Sequence, residues 1–125
     1  MKIEIENMHV VRVINFLDSL PLKGLKSIHR TNLSRLLQEK LKVIAENEKQ
    51  LMEELKDDQE KLKEELQKFH KEKVVIDGGD SQTMLQSMKS VIKEVVEKEE
   101  IEFSRDDAYA LACLYESFGL GEEEK

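Results

Sequence analysis

The sequence lacks tryptophan and has a single cysteine and a single proline among 125 residues. One cysteine excludes an internal disulfide framework and suits a reducing cytoplasm. No apolar run approaches the roughly 20 residues needed to cross a bilayer, so no membrane span is expected. The opening Met1-Lys2-Ile3-Glu4-Ile5-Glu6 alternates apolar and charged residues and is no signal peptide. Metal-ligand spacing is also missing. His9, His29 and His70 lie far apart, and none has a second His or Cys a few residues away. Cys113 stands between Ala112 and Leu114 on an apolar stretch, where a buried structural thiol is expected rather than a nucleophile. Gly78-Gly79 has no Gly-Lys-Ser/Thr after it and is no phosphate loop. Nothing groups a nucleophile, a base and an orienting residue. These absences lead to the expectation of a protein that is not an enzyme and takes no metal or cofactor.

What the chain has in quantity is charge: 38% of residues are Asp, Glu, Lys or Arg, and the net charge is −7. The run 25–73 contains neither proline nor glycine and consists largely of strong helix formers. Within it Leu37, Leu41, Ile44, Leu51, Leu55, Leu62 and Phe69 recur at steps of three, four or seven, which places them on one stripe of a helix. Glu48, Asp58 and Glu65 interrupt the heptad, so the seam is not that of a clean two-stranded zipper. Unbroken, the run would span ~70 Å, whereas a compact chain of this length has a radius of gyration of about 14 Å. The helix therefore either projects from a small body or folds back, and Lys56-Asp57-Asp58-Gln59 is the expected break. Glu–Lys pairs such as Glu64–Lys68 support an exposed helix only weakly, and the seam needs something to lie on it, in the first place another helix of the same chain or a second copy.

Elsewhere the pattern is of short elements. Lys2 to Glu6 reads as a strand, with Asn7 as N-cap of a helix over residues 8–17 that is apolar nearly all round and expected at the centre of the body. Leu20-Pro21-Leu22-Lys23-Gly24 is a turn. After it Leu25, Ile28, Leu33, Leu36 and Leu37 are expected to face the first helix, with Lys26, Arg30 and Arg35 pointing away. Residues 74–77 form a second strand candidate and residues 101–103 a third. Asp80 or Ser81 can cap a helix over 81–99, the natural cover for the seam. Ser104 and Asp107 resemble a capping box for a last helix over 108–118, with Gly119 as its stop. The chain is thus expected to be one mainly α domain with an α+β variant: a long coiled-coil-like helix or helical hairpin, a small helical body, and a short three-stranded sheet. Its parts are a basic helical segment 1–44, a charged long helix 45–73, C-terminal helices 74–120 and a solvated tail 121–125.

The succession Ile14-Asn15-Phe16-Leu17, Leu22-Lys23-Gly24-Leu25-Lys26, Ile28-His29-Arg30-Thr31 and Leu36-Leu37-Gln38-Glu39-Lys40 resembles a family of small uncharacterised proteins encoded by tailed phages and prophages of Gram-positive bacteria. The resemblance covers about the first 45 residues. It implies a phage gene product acting in the cytoplasm of the bacterial host or in the virion, and it carries no catalytic residues. Two functions are expected from these observations together. One is a non-enzymatic protein that works through helix-mediated protein contacts, self-association included, in assembly or as a minor structural component. The other is a small inhibitor of a host defence system or nucleic-acid enzyme, its acidic half-chain blocking a basic surface. The candidate contact residues are the basic group Lys23, Lys26, Arg30 and Arg35 and the seam residues Leu51, Leu55, Leu62 and Phe69. The basic group on two short-linked helices has the outline of a DNA-binding motif, but the acidic remainder and the absence of interleaved aromatics argue against nucleic acid as partner.

Overall fold

The computed structural model describes residues 1–79, 82–98 and 102–123. Strand β1 (Lys2–Glu6) alternates as its sequence demands, burying Ile3 and Ile5 and exposing Lys2 and Glu4. It pairs antiparallel with β2 (Lys73–Asp77), Ile3 opposite Ile76 and Ile5 opposite Val74. The ribbon ends at Gly78, whose N–H donates to the Met1 carbonyl at 2.6 Å. A Cβ there would overlap that carbonyl oxygen and the Gln82 side chain. The sheet has two strands, not the three expected. Glu102 and Phe103 are not in a strand, and Ile101 lies outside the described residues. Two contacts account for this: the Phe103 ring is drawn onto the distant Phe16 at 5.7 Å, and Ser104 already caps the next helix.

A 3₁₀ turn (Asn7–His9) leads into α1 (Val10–Ser19), so the expected helix starts two residues late. Asn7 does not cap it. Its side chain instead donates to the Phe69 carbonyl at 2.9 Å, and its backbone N–H donates to the Glu72 carbonyl at 2.8 Å. A residue read as a local signal is thus a long-range tie. Helix α1 is central: Val10, Val13, Ile14, Phe16 and Leu17 are buried. It is not buried all round, because Met8 and Val11 lie exposed with Asn15 on one outward stripe.

After the Pro21 turn, Gly24 takes φ +67°, a left-handed conformation that suits glycine, and opens the 30-residue α2 (Leu25–Glu54). Leu33, Ser34, Leu37 and Ile44 are buried on the face that meets α1. Leu25 and Ile28 do not face α1 as expected; they are 70% and 54% exposed. Helical geometry explains this, since Ile28 precedes Leu37 by two and a half turns and so lies on the opposite side. Arg30 takes the inward place instead. Its Nη1 donates to the carbonyls of Leu17 and Leu20 at 3.0 and 2.8 Å, a second donor to two carbonyls that already accept the backbone N–H groups of Leu20 and Leu22.

The long run breaks where expected. Helix α2 stops at Glu54, residues 55–58 turn, and α3 (Gln59–Lys71) starts with Asp58 as N-cap, its carboxylate accepting the Lys61 N–H at 3.1 Å. Helix α3 folds back along α2, so that His70 Nε2 and Glu48 Oε1 stand 3.0 Å apart across 22 residues. Helix α2 crosses the boundary between the basic segment 1–44 and the charged segment 45–73 without interruption.

Helix α4 (Gln82–Lys98) buries Met84, Leu85, Met88, Val91 and Ile92 and packs against α2, with Lys26 and Glu94 paired at 3.4 Å at one end. The expected caps Asp80 and Ser81, and Glu99 at the far end, lie outside the described residues. Helix α5 (Arg105–Ser117) is capped by Ser104, which accepts the Asp107 N–H at 3.1 Å. It runs antiparallel to α1, from Phe103 on Phe16 to Ser117, whose hydroxyl donates to the Glu4 carbonyl at 2.8 Å. Gly119, at φ +72°, ends it as expected. Residues 121–123 belong to a short helix α6 (Leu120–Glu123) rather than to a free tail, and Leu120 is buried; Glu124 and Lys125 lie outside the described residues. The fold is mainly helical: a long helix and its return arm set on a small helical body with a two-stranded ribbon.

Candidate functional site

The eight residues singled out from sequence do not come together. Lys23 and Arg35 are exposed at the Pro21 end of α2. Lys26 is neutralised by Glu94, and Arg30 is half-buried against the end of α1. Two of the four cations of the expected outward basic face are thus engaged within the chain, Lys26 in an ion pair and Arg30, still charged, on two carbonyls. Leu51, Leu55 and Leu62 are half-buried at the far end of the α2–α3 hairpin, and Phe69 packs partly against the core beneath Asn7. The seam is therefore covered from within, by the body in its first part and by α3 in its last, and little of it faces outward.

Several hollows mark the described surface. One of 650 Å³ lies between β1 and α5 and is polar, lined among others by Glu4, Glu6, His9, Lys73, Cys113 and Glu116. Burial, with the Glu116 and Glu6 carboxylates adding to it, pushes the Cys113 thiol up, opposite to what a thiolate nucleophile needs. The His9 Nδ1 accepts from Arg12 at 3.0 Å, since a guanidinium can only donate. Among the described residues no three His, Cys, Asp or Glu side chains are placed to hold a metal ion, and no helix is long and apolar enough to cross a membrane. A second hollow of 430 Å³ sits between the Pro21 turn and the end of α4. There Glu94 lies between Lys98 and Lys26, whose hydrogen bonds hold its carboxyl below the usual range.

Two more hollows flank the outward stripe of α1. Met8 and Val11 are 53% and 51% exposed and line both. On the α2 side the hollow measures 290 Å³ and is floored by Leu41, Ile44 and Ala45, with the Glu48–His70 pair at its rim. On the α5 side it measures 260 Å³ and is polar, carrying Arg12, Asn15, Asp106 and Asp107. Arg12 is held between the Asp106 carboxylate, at 3.6 Å, and the face of the exposed Tyr109 ring, 5.2 Å from its centroid. An apolar ridge between an apolar hollow and a charged one can take up a side chain of a partner protein and orient it, which is the composition of a protein contact. Sequence reading missed this face because it took residues 8–17 as buried throughout. Asn15, seven residues after Met8 and four after Val11, was the signal of an outward stripe.

Comparison with protein-family models, with curated proteins and with solved structures returned no match for this chain.

Proposed function

We propose that this chain is a non-enzymatic phage protein that works through helix-mediated protein contacts in the bacterial host cell or the virion, as an assembly factor or minor structural component. The observation that carries the reading is the ridge of Met8 and Val11 with its two hollows, an apolar surface built on the most deeply anchored helix of the body. Rigid placement suits it, because a preorganised surface binds without first losing conformational freedom. The resemblance of the first 45 residues to small proteins of tailed phages supports the setting. The test is affinity capture of the tagged chain from phage-infected cells, read by mass spectrometry beside a Met8→Lys, Val11→Lys variant. Capture of phage assembly or virion proteins by the wild type, lost in the variant, is expected. Equal capture by both would remove this face from the function.

A second reading has its own observation. Glu53, Glu54, Asp57 and Asp58 are all exposed around the hairpin turn and present a projecting acidic end to a basic surface, as an inhibitor of a host nucleic-acid enzyme would. Capture of a host nuclease that is abolished by reversing these four charges would favour it.

A further inference from the structure

We infer that the Met8–Val11 face receives a second copy of this chain, through the knob made by Leu25 and Ile28. The inference rests on the protein-binding reading of that face and names its occupant. Leu25 is the most exposed large hydrophobic residue among the described residues, and Ile28 sits three residues on, so both project from one side of the first turn of α2. Among the described residues nothing covers them: they are 70% and 54% exposed. Their surroundings are basic: Lys23, Lys26, Arg30 and Arg35 stand against Asp18 and Glu94. The receiving face is opposite in sign, with Glu48, Asp106 and Asp107 around it and Arg12 as its one guanidinium. The chemistry therefore matches twice. An aliphatic knob meets the hollow floored by Leu41, Ile44 and Ala45, and its cationic flank meets the hollow that carries Asp106 and Asp107.

Knob and hollow lie on the same molecule. Residues 25–28 and Ile44 are 16 to 19 positions apart on one continuous helix, ~25 Å along its axis. A contact between two different patches is heterologous, so each bound copy still offers a free knob at one end and a free hollow at the other. The product is a ring or an open row, in keeping with an assembly or virion role.

The experiment is sedimentation velocity of the full chain across a wide concentration range, with two variants. One carries Leu25→Glu and Ile28→Glu, the other Met8→Lys and Val11→Lys; all four positions are more than half exposed, and far-ultraviolet circular dichroism checks that each variant folds. Wild-type species larger than a dimer are expected as concentration rises, with each variant alone more than about tenfold weaker in association. Mixed one to one, the variants should form a heterodimer and stop there, because each supplies the half the other lacks. A wild type that stays monomeric overturns the proposal, and so does a mixture that stays monomeric. As a check independent of any variant, rising salt should weaken wild-type association; strengthening would count against it. A monomeric wild type whose capture of a phage protein still depends on Met8 and Val11 would overturn the self-contact and leave the protein-binding reading standing.

Discussion

Helix α2 has two parts with the same backbone and very different surroundings. Its first twenty residues bury Leu33, Ser34, Leu37 and Ile44 against a body that includes Phe16, Leu17 and Ile92. Its last ten, with the whole of α3, contain no buried residue. Both parts are rich in helix formers and both carry an apolar stripe. The difference lies in what covers the stripe: several layers in the body, one polar return helix in the hairpin. Helix length is therefore no measure of how firmly a segment is held, since packing of the apolar face supplies most of the stability of a helix.

Truncation in what covers each part, Phe16 of α1 for the first and Leu62 of α3 for the last, tests this contrast most strongly. Phe16→Ala should cost about 3–5 kcal/mol, whereas Leu62→Ala, at a half-buried site, should cost about 1 kcal/mol; denaturant midpoints at constant slope give both. Similar losses would erase the comparison. Next come the two arginines of the basic group. Arg30→Ala removes two hydrogen bonds to the carbonyls of Leu17 and Leu20, which keep their backbone donors, and should cost about 1–2 kcal/mol, while Arg35→Ala should fall within about 0.5 kcal/mol of wild type. Smaller again is Asn7→Ala, which removes the side-chain tie to Phe69 and should cost about 1 kcal/mol. Its sharper readout is hydrogen exchange: amides of α3 should exchange faster while those of α1 keep their protection. The least effect belongs to Glu94. Its carboxyl is held low in the folded state by Lys98 and Lys26. The stabilisation is therefore present above its unfolded pKa and fades as pH falls through the depressed folded value. Glu94→Gln should lower stability slightly near neutrality and converge with wild type as pH falls through that acidic window.

Much of this architecture could be read from the residues. The turn at 55–58 was marked by a cluster of polar residues, the ribbon by the alternation of Ile3 and Ile5, and the caps of α5 by Ser104 and Gly119. These are local signals, in which a side chain acts on its own backbone. What escaped was non-local. Asn7 looks like a cap and binds a helix 62 positions away. Arg30 looks like a solvated cation and fills the end of α1. Ile101-Glu102-Phe103 alternates like a strand, yet Phe103 goes to Phe16, because aromatic burial outweighs three residues of strand propensity. The candidate face escaped for a related reason. Of the residues chosen as contacts, the apolar ones serve the hairpin or the core, and Met8 and Val11 had been assigned to the interior.

The pairing of Lys2 with Asp77 has a consequence for how the chain folds. The ribbon closes a loop that contains all of α1, α2 and α3, so its strands cannot meet until the chain has reversed at residues 55–58. Loop-closure entropy rises only slowly with length, but pairing of such distant segments belongs late in folding. The hairpin, the least buried part of the molecule, is thus the tether that delivers the second strand. A change of length at its tip should alter the rate of folding more than the stability of the folded body.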